Sequence, residues 1–147
     1  LLAVAVLAFS PGCASWFLRG AEMASRAPAA PTAVYTIPLC GLSNGQIVAG
    51  PATTYYLATE ASGVVLYEME NGGSGARITN TWTDSNGTWF FVWVGNGPGW
   101  QYYFPADPSQ PPIRLAFDAG TYSGDRSTGV TRPAGTPSAT CVMQRAS

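Results

Sequence analysis

The sequence predicts an all-β domain, either an antiparallel sandwich or a small barrel of about eight or nine short strands. From residue 33 onward, short runs rich in Val, Ile, Thr, Tyr, Phe and Trp alternate with clusters of Gly, Asn, Pro and Ser. These runs recur roughly every 8–13 residues, as in known sandwiches. No stretch in this part of the chain has the 3.6-residue apolar period of an amphipathic helix.

The expected strands follow one another closely along the domain. The sequence predicts them at residues 33–37, 46–49, 53–59, 63–70, 76–84, 88–94, 100–104, 113–118 and 138–144. Turn-forming residues separate them, most clearly the Asn-Gly pair at 86–87 and the Gly-rich clusters at 71–75 and 95–99. Residues 120–137 are rich in Gly, Ser, Thr and Pro, which indicates a long loop before the last strand.

The first residues have the pattern of an export signal. An apolar run from Leu1 to Phe9 is followed by Ser, Pro, Gly and small residues, as in a secretory signal peptide. The pair Gly12-Cys13 resembles the end of a bacterial lipoprotein signal, in which a small residue precedes a Cys that becomes lipidated. Two alternatives are cleavage one or two residues later and an uncleaved apolar anchor that continues to Leu18.

This pattern leads to a three-part organisation. We expect residues 1–13 to be the remaining part of a signal peptide, 14–32 an Ala/Pro-rich tether, and 33–147 the β domain. A lipid on Cys13 would attach the protein to a membrane. The expected location is therefore the bacterial cell envelope, in the periplasm or at the outer membrane, or the cell surface.

The three cysteines are consistent with export. Cys13, Cys40 and Cys141 form an odd set, which leaves one thiol over in an oxidising compartment. If Cys13 carries the lipid, Cys40 and Cys141 remain as a pair, one near each end of the domain. The alternative is two free buried thiols.

The composition excludes several classes of chemistry. There is no His, and all seven basic residues are Arg, so His-based nucleophilic catalysis, His-ligated metal sites and Lys Schiff bases are excluded. A net charge of −1 gives no basic surface for nucleic acid. We expect a protein that is not an enzyme, with no cofactor and no metal.

The aromatic segment from residue 76 to 105 is the most informative part of the sequence. A hairpin at 86–87 places Trp82 and Trp89 on the same face whether its loop has two or four residues. A five-residue loop at 95–99 then adds Gln101 and Tyr103 to that face. The full set expected there is Ile78, Asn80, Trp82, Trp89, Phe91, Trp93, Gln101 and Tyr103.

Two interpretations of these tryptophans remain open. They either fill the interior of a small β domain or form a binding face, in which flat rings contact the C–H faces of sugars and amides bond the hydroxyls. Trp and Tyr also dominate protein-binding hot spots. The expected ligand residues are Trp82, Trp89, Trp93, Asn80, Gln101 and Tyr103.

Other candidate sites are less specific. Glu68 and Glu70 lie two apart on one expected strand, at a spacing comparable to glycosidase dyads but also common on solvated strands. The segment Ser74-Gly75-Ala76-Arg77 resembles the motif that small lysozyme-inhibitor lipoproteins present to the lysozyme cleft. That resemblance implies that Ser74 and Arg77 are the inserted contacts, with Arg77 facing the catalytic acids of lysozyme.

The sequence thus predicts a non-catalytic exported binding module that uses an aromatic β face to bind a polysaccharide or an envelope protein. One alternative is a structural or assembly subunit, an oligomer or part of a larger complex. Low charge and abundant aromatic residues make exposed apolar patches plausible for such a subunit. The other alternative is an inhibitor of lysozyme.

Overall fold

The computed structural model describes residues 18–71, 73–94, 98–118 and 137–147, which form two antiparallel sheets. These described residues contain fourteen short strands and no helix, which confirms the predicted all-β class. In chain order the strands are β1 (Leu18–Arg19), β2 (Ala21–Ala24), β3 (Ala33–Thr36), β4 (Leu39–Leu42), β5 (Ile47–Ala49), β6 (Thr53–Glu60), β7 (Gly63–Glu70), β8 (Gly75–Ile78), β9 (Thr81–Asp84), β10 (Gly87–Val94), β11 (Gly99–Pro105), β12 (Ile113–Phe117), β13 (Ala139–Val142) and β14 (Gln144–Arg145).

The strands divide into a large and a small sheet. The large sheet has the order β1-β10-β11-β12-β13-β4-β5, and β9 also pairs with β10. The small sheet has the order β14-β3-β6-β7-β8-β2. β10 therefore lies inside the large sheet, as its two apolar faces suggest.

The chain changes sheet at several corners. It passes from one sheet to the other between β1 and β2, β3 and β4, β5 and β6, β8 and β9, and β13 and β14. The prediction of one strand over residues 76–84 is wrong, because the chain turns at Thr79 and Asn80 between β8 and β9. Both of their N–H groups donate to the carbonyl of Gly20, at 3.0 and 3.1 Å, so two corners are fixed against each other.

Side-chain alternation builds the core between the sheets. Aromatic rings from the two sheets meet there, with ring centroids 5.4 Å apart for Tyr35 and Phe104 and 5.6 Å apart for Tyr55 and Tyr102. The buried residues of this core are Ala33, Tyr35, Ile37, Cys40, Tyr55, Leu66, Ile78, Phe90, Val92, Tyr102, Phe104, Cys141 and Met143.

A disulfide joins Cys40 to Cys141, which confirms the expected pairing. The two residues are direct neighbours on β4 and β13, with Cα atoms 4.3 Å apart and a sequence separation of 101. Closing a loop of this length stabilises the fold by about 4–5 kcal/mol in the chain-entropy model. Such a bond fits an oxidising compartment.

Part of the expected tether is integrated into the fold instead. Residues 18–24 form β1 and β2, one at an edge of each sheet. Residues 25–32 then connect β2, at one edge of the small sheet, with β3, the second strand from the other edge. There they share a shallow recess with side chains of β6 and β7: Ser25, Arg26, Ala27, Thr54, Tyr56 and Met69. The sequence pattern does not predict β1 and β2, because Gly20 ends the first strand after only two residues.

β4 is not predicted from the sequence, because its Leu-Cys-Gly-Leu segment contains no β-branched residue. Residues 1–13, with Cys13, and most of the expected loop at 120–137 lie outside the described residues. In the described ranges, no helix is long and apolar enough to cross a membrane.

We predict that Gly20→Ala destabilises the fold strongly. Gly20 has φ +81°, and a Cβ there would lie 2.4 Å from the carbonyl oxygen of Phe91. Gly45 provides the matched control, because its φ is +92° but no atom lies within 4 Å of an added Cβ. Urea unfolding should show that Gly20→Ala loses roughly 1–3 kcal/mol more than Gly45→Ala. Equal losses would contradict the close contact at this corner.

Candidate functional site

Three exposed or half-buried aromatic side chains lie side by side on the outer face of the large sheet. Trp82 on β9 pairs with Trp89 on β10, which pairs with Tyr103 on β11. We call Trp82, Trp89 and Tyr103 the aromatic row. The rings of Trp89 and Tyr103 have centroids 4.5 Å apart, and Trp82 is 37% exposed. The expected shared face of Trp82, Trp89 and Tyr103 is thereby confirmed, and the first hairpin has Ser85 and Asn86 as its loop. The second hairpin pairs Val92 with Trp100, whereas a five-residue loop at 95–99 predicts Val94 as the partner of Trp100; this shift of two residues keeps the same faces.

The remaining predicted ligand residues lie farther along the same face. Asn80 is next to Phe91, whose N–H donates to the Asn80 carbonyl, and Gln101 is the partner of Phe91 on β11. Gln101 is 2% exposed, so its amide does not face solvent. The Nδ2 atom of Asn80 is also buried, without an acceptor among the described residues.

Trp93 is half-buried and packs at the corner formed by Gly20, where an added Cβ would lie 3.1 Å from its ring. Ile78, which was expected on this face, is wholly buried in the core because β8 belongs to the small sheet. The core uses the opposite face of β10 and β11, so the three tryptophans do not fill the interior.

A recess of about 550 Å³ adjoins one end of the aromatic row. Trp89 and Tyr103 form its aromatic wall, and polar side chains from two separate loops form its rim. The lining residues are Ser85, Asn86, Trp89, Tyr103, Pro105, Ala106, Asp107 and Gln110. We call this space the hairpin recess.

Sequence reasoning missed the polar rim of the hairpin recess. The sequence predicts a hairpin turn at Asn86 and does not single out Asn86, Asp107 or Gln110 as a ligand residue. The signal available was the turn sequence Asp107-Pro108-Ser109-Gln110 directly after an aromatic strand. This turn sequence alone does not predict that the turn folds back toward the hairpin at residue 86.

Hydrogen bonds fix both loops of the recess. The Asn86 carbonyl accepts from the Tyr103 hydroxyl at 2.8 Å and from the Ala106 N–H at 2.9 Å. The Oδ1 atom of Asp107 accepts from the Ser109 N–H at 2.9 Å and from its Oγ at 2.8 Å. These bonds hold the pKa of the Asp107 carboxyl below its usual range.

A second polar cluster lies between the sheets. Glu68 accepts hydrogen bonds from Trp100 Nε1, at 3.2 Å, and from the Tyr102 hydroxyl. The Tyr102 hydroxyl in turn accepts from Arg114 Nε at 3.1 Å. Arg114 also lies 5.7 Å from the centroids of the Trp100 and Tyr102 rings. Glu68 thus connects β7 with β11, whereas Glu70 is exposed at the end of β7.

Ser74 and Arg77 do not form a protruding pair. Arg77 lies on β8, on the outer face of the small sheet, where it forms salt bridges with Glu22 at 2.7 Å and Glu60 at 2.6 Å. Tyr67 donates to the same Glu60 at 2.5 Å. The Ser74 carbonyl accepts from the Glu70 N–H at the turn before β8. The guanidinium of Arg77 is therefore engaged within the sheet.

The described residues contain no group of three or more metal-ligating side chains. No family model matches the chain, and no curated protein or solved structure matches it significantly. The chemistry of the site therefore has to be inferred from its own geometry.

We predict that stability falls between pH 10 and pH 12. Burial raises the pKa of Tyr55 to about 12 and also raises that of Tyr102. Unfolded tyrosines ionise near pH 10, so the stabilisation is fully present below pH 10 and is lost as the pH rises toward 12. Urea unfolding at pH 9, 10 and 11 would show this loss, and Tyr55→Phe should reduce its slope. A constant unfolding free energy to pH 12 would exclude this linkage.

Proposed function

We propose that this protein is a non-catalytic glycan-binding module whose binding surface is the aromatic row. One observation carries the proposal: Trp82, Trp89 and Tyr103 lie together on an outer sheet face, beside a recess with a polar rim. Rings that contact C–H groups, next to amide and carboxylate groups that bond hydroxyls, match the two kinds of surface that a sugar presents.

The core does not explain why these rings are present. Phe90, Tyr102 and Phe104 supply the aromatic packing on the inner face of β10 and β11. A Trp at position 82, 37% exposed on the short strand β9, adds little to folding but offers a large rigid surface to a ligand. This division between packing and exposed rings supports a binding role.

Export and the absence of catalysis belong to the same proposal. The disulfide supports an oxidising compartment, and the expected signal at residues 1–13 suggests the cell envelope. The chain has no His, and Glu68 is engaged between the sheets. A lysozyme inhibitor receives less support, because Arg77 is held in two salt bridges.

We predict that Trp82→Ala weakens glycan binding. Loss of an exposed ring at a binding surface should cost about 1–2 kcal/mol, or roughly 5–30-fold in Kd. The measurement is tryptophan fluorescence titrated with peptidoglycan fragments and with soluble oligosaccharides of cellulose, chitin, xylan and mannan.

Val142→Ala is the matched control, since Val142 is 51% exposed on the same sheet face but lies near the opposite edge. It should bind like the unaltered protein. If no oligosaccharide changes the fluorescence, or if both variants bind equally well, the proposal fails.

A second candidate function is that of a structural subunit in a larger assembly. The edge strand β5 and its neighbours carry large exposed apolar side chains: Leu39 at 58%, Ile47 at 66%, Val48 at 38% and Val142 at 51%. An apolar edge strand of this kind is a surface for pairing with another chain.

We predict that, if this candidate is correct, the protein self-associates through β5. Light scattering should give a mass above that of one chain, and Ile47→Lys should return it to the single-chain mass, since an edge lysine opposes strand pairing. Glu70→Lys, an exposed change on the small sheet, should leave the association unchanged. A single-chain mass for the unaltered protein at high concentration would speak against self-association.

A further inference from the structure

We propose that the hairpin recess binds a neutral sugar unit through the carboxylate of Asp107. This inference rests on the glycan-binding function proposed above. It adds the class of sugar and the residues that select it at this end of the aromatic row.

The recess has the size and the mixed lining of a small-ligand site. Its volume of about 550 Å³ lies within the usual range for small-molecule pockets, about 300–1,000 Å³. The rings of Trp89 and Tyr103 form one wall, and the side chains of Asn86, Asp107 and Gln110 lie along the rim. A pyranose ring, with C–H faces and a belt of hydroxyls, can contact both surfaces at once.

The rim has hydrogen-bond donors and acceptors that are free to bind a ligand. Ser109 occupies Oδ1 of Asp107, and the second carboxylate oxygen has no hydrogen bond within the described part of the chain. The side-chain amides of Asn86 and Gln110 make none there either. A carboxylate is an acceptor with several lone pairs and forms strong charge-assisted bonds. Two adjacent sugar hydroxyls therefore suit the free side of Asp107.

The backbones of the two loops and the carboxylate of Asp107 are held in place before any ligand arrives. The Gln110 N–H donates to the Asp107 carbonyl at 3.1 Å, which closes a turn with Pro108 in its second position. The hairpin loop is fixed to β11 through the Asn86 carbonyl. Such preorganisation lowers the entropy lost on binding.

The charge around the recess favours an uncharged ligand. Among the described residues that line it, Asp107 is the only charged one and none is an Arg. Asp84, in the adjacent hairpin turn, accepts a hydrogen bond from the Asn86 N–H at 2.8 Å and adds a second negative charge nearby. A sugar with a carboxylate, sulfate or phosphate would be repelled, whereas neutral hydroxyls would be accepted.

The test compares neutral and acidic probes by isothermal titration calorimetry. The neutral probes are trisaccharides of glucose, mannose and N-acetylglucosamine, and the acidic probe is trigalacturonate. We expect the unaltered protein to bind at least one neutral trisaccharide, and to bind trigalacturonate at least about tenfold more weakly.

Asp107→Asn is the informative variant. The Asn oxygen can still accept from Ser109, so the turn is kept, but the charged acceptor is lost. Affinity for the neutral sugar should fall roughly tenfold, and the discrimination against trigalacturonate should shrink. Glu70→Gln makes the same charge change on an exposed residue of the small sheet and should change neither property.

The outcomes separate this inference from the proposed function. If a neutral trisaccharide binds and Trp82→Ala weakens it, while Asp107→Asn and Gln110→Ala bind normally, the aromatic row binds glycans but the inference is overturned. Equal affinity for trigalacturonate and the neutral sugars also overturns it. If the unaltered protein binds trigalacturonate or the peptidoglycan fragments but none of the neutral trisaccharides, the inference is overturned and the glycan-binding function stands. If it binds none of the saccharides of either experiment, both fail.

Discussion

The alternation of side chains along β10 and β11 determines both the core and the candidate site. Phe90, Tyr102 and Phe104 must point inward to pack against the small sheet. Because successive side chains point to opposite faces, Trp89 and Tyr103 then have to point outward. A slip of one residue in either strand would exchange the two sets. The free energy of core packing therefore holds the aromatic row in place, although the row itself contributes little to the core.

The polar cluster between the sheets explains an acidic residue that the sequence leaves ambiguous. Glu68 could belong to a catalytic pair or to a solvated strand when only its spacing is known. In the structure its carboxylate receives a ring N–H from Trp100 and a hydroxyl from Tyr102, which itself accepts from Arg114. A charge enclosed in this way is compensated by several donors. The Glu68 carboxylate joins β7 of the small sheet to β11 of the large sheet.

The sequence predicts those parts of the fold that depend on local patterns. The shared face of Trp82, Trp89 and Tyr103 follows from strand parity and turn residues, and the Cys40–Cys141 pair follows from the odd cysteine count if Cys13 carries a lipid. The corner at residues 79–80 could not be predicted, because it depends on the distant carbonyl of Gly20. The rim of the recess was missed for the same reason. Asn86 and Asp107 are far apart in the chain and meet only when the loop after β11 folds back.

The disulfide also determines what happens to a cleaved chain. Its two cysteines are 101 residues apart, so one peptide bond broken anywhere between them still leaves a single covalent molecule. The two fragments would remain joined through the disulfide between β4 and β13, which pair directly in the large sheet. A single cut within this span would therefore not separate the aromatic strands covalently from the rest of the domain until the disulfide is reduced.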